Sequence, residues 1–123
     1  MATIRISEEY SETLGARYIE EGEFSGEDFR KNFLISRFEV ALKAGEEIII
    51  DLDGGYGNPV SFLEEAFGGL AREYGTKEVL KVLKFVSLDE PSQVDDIIDY
   101  IQHPYDNKVY KNALIKKNRR RGN

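Results

Sequence analysis

The residues with the most reactive side chains fall in one stretch. The run Ile48-Ile49-Ile50-Asp51-Leu52-Asp53-Gly54-Gly55-Tyr56-Gly57-Asn58-Pro59-Val60-Ser61 sets two carboxylates and a glycine-rich loop directly behind an apolar segment. A carboxylate pair of this kind can divide nucleophilic and proton-transfer work. Open α/β sheets place their sites at that carboxyl edge of a strand. The loop lacks the Lys-Ser/Thr of a phosphate loop and the full dinucleotide spacing, so its glycines read as a turn needing positive φ at one or two positions.

Ser61 has two readings. Ser61-Phe62-Leu63-Glu64 has the form of a capping box, in which the hydroxyl accepts the Glu64 N–H and the Glu64 carboxylate reaches back. A serine at a helix start is also suited to phosphorylation, because free N–H groups and the helix dipole stabilise the phosphate. Elsewhere the chain holds little reactive material. It has no Cys, which removes disulfides, thiolate nucleophiles and Cys-based metal sites. Its one His, His103, precedes Pro104 and reads as a loop residue rather than a ligand. The pair Asp95-Asp96 sits early in an amphipathic helix, where acids favour the dipole.

The elements that must position these residues alternate along the chain. Residues 3–6 read as a short strand, and 7–23 give no firm element. A helix starts at Ser25, with Asp28 three positions on, and stops at Gly45. Its Phe29, Phe33, Ile35, Phe38, Ala41 and Leu42 follow helical spacing. Residues 46–52 read as a central strand buried on both faces. A second helix covers 61–74, residues 79–88 contain the next strand, and Pro91 opens a third helix with the stripe Val94, Ile97, Ile98 and Ile101. Strands separated by helices predict parallel crossovers in a small α/β sheet with packed helices. Gly68-Gly69 inside the second helix costs roughly 1 kcal/mol per residue, which points to close packing there. Phe62, Leu63, Phe67 and Leu70 cannot share one face, so they read mainly as core, with Phe62 also a candidate for a docking surface.

With 123 residues the chain fits one domain, divided here into an α/β body at 1–106 and a basic tail at 107–123. Lys108, Lys111, Lys116, Lys117, Arg119, Arg120 and Arg121 meet no acid after position 107, leaving 10 Lys and Arg against 23 Asp and Glu upstream, a net of −13. So acidic a body disfavours nucleic acid as the main partner, leaving only the tail for it. The tail reads first as a solvated, disordered end, then as a docking segment, then as a nucleic-acid contact, with Tyr110, Leu114 and Ile115 fitting a short amphipathic helix. The opening residues lack a signal-peptide pattern and no apolar run is long enough to span a bilayer, so a cytoplasmic protein without membrane contact is expected.

Two family resemblances follow. Asp51-Leu52-Asp53-Gly54 resembles the first motif of haloacid-dehalogenase-type phosphatases, which implies a small Mg²⁺-dependent phosphate-handling enzyme with Asp51 as nucleophile and Asp53 as acid/base. That family has Thr or Val where Gly55 stands, and only 72 residues follow Asp51 to supply its later Lys and paired acids. The same strand end followed by Ser61-Phe62-x-x-Glu65-x-Phe67-Gly68 resembles the STAS-like family of unknown function, relatives of anti-sigma-factor antagonists. This second resemblance runs closely over 48–70. It implies a STAS-like α/β fold with a mixed or parallel sheet, no catalysis and no cofactor. It further implies a bacterial-type regulatory role, with an ATPase-fold kinase or anti-sigma-like protein as partner. Ser61 is then the expected phosphorylation site, and Asp51, Asp53, Gly54, Tyr56, Phe62 and Glu65 the expected partner-binding residues. Better-known members carry Asp-Ser-Ser/Thr-Gly where this chain has Pro59-Val60-Ser61-Phe62.

Overall fold

Three short parallel strands carry the molecule. The structure is a computed structural model and describes residues 2–121, so Met1, Gly122 and Asn123 lie outside the described residues. Strand β1 is Ala2–Arg5, β2 is Ile48–Asp51 and β3 is Leu83–Val86, in the order β1-β2-β3. Both pairings are parallel, with Ile4 opposite Ile50 and Ile50 opposite Phe85. Parallel neighbours need long crossovers, and helices supply them. The short helix α1 is Ile6–Glu9, and α2 covers 26–44. Helix α3 covers 60–74, α4 is Thr76–Val82, α5 is Ser92–Gln102 and α6 is Lys108–Arg121.

The central placement expected of Ile48 to Ile50 is what the sheet shows. Two-sided burial is not. Ile48 and Ile50 are buried, but Ile49 and Asp51 are half-buried, and their register neighbours Thr3, Arg5, Lys84 and Val86 are exposed. One sheet face packs on the helices; the other meets solvent with charged side chains on both edge strands, which discourages pairing with another chain.

Helix α2 starts and stops where its sequence says. Ser25 Oγ accepts the Asp28 N–H at 3.0 Å, and Gly45 ends the helix in the left-handed region at φ 69°. Ser25 is fully buried, and Phe29, Leu34 and Phe38 enter the core. Residues 7–23 are mostly irregular, tied to α2 by Gly26 N–H to the Ala16 carbonyl and Glu27 N–H to the Arg17 carbonyl. Both α2 and α3 are interrupted by one π-helical turn, at Arg30–Leu34 and Glu64–Gly68.

The tail is not the solvated end that its charge suggests. Asn107 Oδ1 accepts the Tyr110 N–H at 2.7 Å and caps α6. Ala113 is buried, and the Arg72 guanidinium lies 4.4 Å from the Tyr110 ring centroid while donating to the Pro104 carbonyl. Leu114 and Ile115 stay exposed. Ala113, the half-buried Val109 and a cation–aromatic contact dock α6, so few apolar residues announce it.

Candidate functional site

The acidic pair sits at the carboxyl edge of the sheet as expected, but as structure. Asp51, at the end of β2, accepts the Asp53 N–H at 2.9 Å and lies 3.8 Å from the Arg5 guanidinium. Asp53 Oδ1 accepts from the Ser87 hydroxyl at 2.7 Å and the Asp89 N–H at 3.3 Å, and its Oδ2 from the Leu88 N–H at 2.6 Å. Its carboxylate therefore fastens the loop after β2 to the loop after β3. The Leu88 N–H and then the Ser87 hydroxyl hold its carboxyl below the ordinary value of 3.8. A depressed pKa stabilises the fold above the unfolded value and is lost as pH falls through the folded one. We expect the thermal midpoint gap between wild type and Asp53→Asn to be constant above pH ~5 and to narrow in more acid solution, as measured by calorimetry across pH.

The glycine loop is the turn its composition predicts, with positive φ at Gly54 (96°) and Gly57 (132°). The Ser7 hydroxyl donates to the Asp53 carbonyl, the Tyr56 N–H to the Glu12 carbonyl, and the Asn58 amide to the Leu52 carbonyl and the Gln93 side chain. Tyr56 itself is 84% exposed, and Leu88 on the neighbouring loop 91% exposed. Nothing in the sequence marks Leu88 as a surface residue.

Ser61 lies in the first turn of α3, two residues past the cap position, which Pro59 occupies without a side-chain bond. The expected capping box is therefore absent: the Ser61 hydroxyl has no hydrogen-bond partner among the described residues, and Glu64 points elsewhere. With Pro59 at the cap, the chain enters the helix two residues earlier than the serine pattern implies. The hydroxyl is left uncommitted in a cleft bordered by Arg17, Lys116 and Arg119.

Two expected partner contacts are interior. Phe62 has no exposed surface and packs among Phe29 and Tyr10. Glu65 is 8% exposed and Glu64 fully buried. Arg17 Nη1 bonds Glu64 and lies 3.3 Å from Glu65. Arg72 reaches Glu64 at 2.8 Å, and Arg30 reaches Glu65 at 2.7 Å and Glu73 at 3.0 Å. Three arginines thus balance three glutamates between α2, α3 and the segment before α2. The tandem glycines make room for them. A Cβ on Gly69 would stand 2.2 Å from Arg30 Nη1, and one on Gly68 2.5 Å from Glu64 Oε2. Among the described residues no group of three or more acids or His could hold a metal ion, and no helix is long and apolar enough to cross a membrane.

Comparison with known proteins agrees with the fold. A family model described as a STAS-like domain of unknown function matches residues 25–93, spanning β2, the glycine loop, α3 and β3. No curated protein and no solved structure matches.

Proposed function

As a member of the STAS-like family of domains of unknown function, the chain acts, we propose, as a regulatory protein-binding module that is switched by phosphorylation of Ser61. The observation that carries this reading is the accessible, unbonded Ser61 hydroxyl at the start of the helix that follows the central strand. The loops after β2 and β3 present Tyr56 and Leu88, and the first turn of α3 presents Val60, exposed apolar side chains that a partner could cover. Gly54, Asp51 and Asp53 support that face as loop architecture. Phe62 and Glu65 are interior and take no part in it.

The partner proposed is an ATPase-fold kinase of the anti-sigma type, following the family resemblance. In that reaction Ser61 Oγ bonds the γ-phosphorus of ATP, the bond to the ADP oxygen breaks, and the hydroxyl proton leaves to a base on the kinase. The domain itself is proposed to be non-enzymatic. In support, both carboxylate oxygens of Asp53, the acid/base of the phosphatase reading, are engaged in loop bonds.

Ser61→Ala tests the reading cleanly because no cap is lost. Its unfolding free energy should stay within about 0.5 kcal/mol of wild type. Incubated with the kinase and ATP, wild type should gain one phosphate at Ser61 and lose at least about tenfold in partner affinity. Ser61→Ala should bind equally with and without ATP. Equal affinities for unmodified and phosphorylated protein, or modification elsewhere than Ser61, would overturn the switch.

A further inference from the structure

We propose that the cleft between α6 and the start of α3 is a phosphoryl-binding site, and that its occupant is the phosphate carried by Ser61 of the same chain. This rests on reading Ser61 as a modified residue, and names where the modification goes. The cleft has a volume of about 390 Å³ and is lined by Ser61, Arg17, Lys116 and Arg119, with Glu21 on its wall. Lys116 and Arg119 are three positions apart on α6 and so share a face. Neither makes an ion pair or hydrogen bond among the described residues, although the body they dock on is strongly acidic. Those two cations are therefore held beside Ser61 without being ion-paired to a carboxylate.

The cleft is built rather than incidental. Ala113 is buried one turn before Lys116, fixing that part of α6 against the body. Lys117 Nζ lies 5.6 Å over the Tyr18 ring, joining α6 to the segment that carries Arg17. Arg17 commits Nη1 to Glu64 and Glu65. Its Nη2 and Nε make no hydrogen bond among the described residues. Glu21 Oε1 is occupied by the Tyr18 N–H at 3.0 Å.

Charge decides which phosphate the cleft takes. Arg17 is balanced by the glutamates it bonds, so the cleft's surplus is Lys116 and Arg119 against Glu21, one positive charge. A free phosphate would gain little from so small a surplus under physiological screening. A phosphoserine brings nearly two negative charges and three acceptor oxygens, and it is already tethered at the site. Tethering replaces a bulk concentration by an effective one of order millimolar or more. Phosphorylation then fastens α6 onto α3 and withdraws Lys116 and Arg119 from solvent; without it the two cations stay open.

The test uses the full chain with phosphoserine inserted at position 61 during translation, so it needs neither the kinase nor the partner. Hydrogen exchange of the α6 amides should slow by about tenfold on phosphorylation. The phosphoserine should titrate below its ordinary second pKa of about 6, read by phosphorus NMR. In Lys116→Gln/Arg119→Gln both effects should vanish, while the unmodified double variant keeps the wild-type thermal midpoint. Exchange that is unchanged by phosphoserine, or slowed equally in the double variant, overturns the proposal. Inorganic phosphate added to unmodified protein is expected to give no protection at millimolar concentration; protection equal to that of phosphoserine would show a site for free phosphate instead and overturn the intramolecular occupant. Failure of these measurements leaves the partner-affinity test of Ser61 standing, and the converse holds.

Discussion

Glu64→Gln is expected to destabilise the domain by about 3–5 kcal/mol, measured by denaturant unfolding at neutral pH. Glu64 has no exposed surface and faces Arg17 and Arg72, so the variant leaves one buried and one half-buried guanidinium group short of a counter-charge. Glu65 offers partial relief at 3.3 Å from Arg17 and 3.8 Å from Arg72, which favours the lower end of that range. The loss is a cost of unpaired charge, not the net worth of the network. Changing Arg17, Glu64 and Arg72 together to Met, Leu and Met should therefore recover most of it. If Glu64→Gln unfolds at the wild-type midpoint, the carboxylate is not a buried counter-ion.

Phe62→Ala should cost a similar ~3–5 kcal/mol, because it empties a site with no surface exposure. The ring lies 5.6 Å from Phe29 and 6.4 Å from Tyr10. The Phe62 carbonyl presses so closely on α2 that a Cβ on Gly26 would stand 2.5 Å from it. Reduced partner binding by Phe62→Ala would then follow from unfolding. Tyr56→Ala separates the two effects: at 84% exposure it should change stability by no more than about 0.5 kcal/mol, so any binding it loses belongs to the surface. A fully stable Phe62→Ala would refute the core assignment.

The helix boundaries at Ser25 and Gly45 and the interior strand were legible because each rests on local chemistry: a cap, a left-handed glycine, an unbroken apolar run. Helix α4 was not. Val79, Leu80 and Val82 run straight into Leu83 and Phe85, and the chain passes from helix to strand without a breaker, so the stretch 79–88 shows that it contains a strand but not the helix that leads into it. The capping box failed for a different reason. Its residues are present at the right spacing, but Glu64 finds Arg17, 47 positions away in sequence, and tertiary pairing outweighs a local cap. Nothing near Arg17 or Arg30 in the sequence marks them as interior. The signal lay in Glu64 and Glu65 themselves, two acids within 62–71, where every residue of the helix is buried. Gly68-Gly69 pointed at the same place, and the packing it foretold is packing against a guanidinium and a carboxylate.

The open face and wide spacing of the strands also bear on how a ribosome must make this molecule. Ile4 pairs with Ile50, 46 positions later, and Ile50 with Phe85 a further 35 on. No strand has a hairpin neighbour, so β1 has no partner while everything up to β2 is being synthesised. At roughly 5–20 residues per second that interval is on the order of two to nine seconds. Through it Thr3 and Arg5, on the side of β1 that never becomes interior, keep the waiting segment from being apolar on both sides. The polar residues on the solvent side of the finished sheet are thus of use before the sheet exists, as protection for a nascent strand against its neighbours on the polysome.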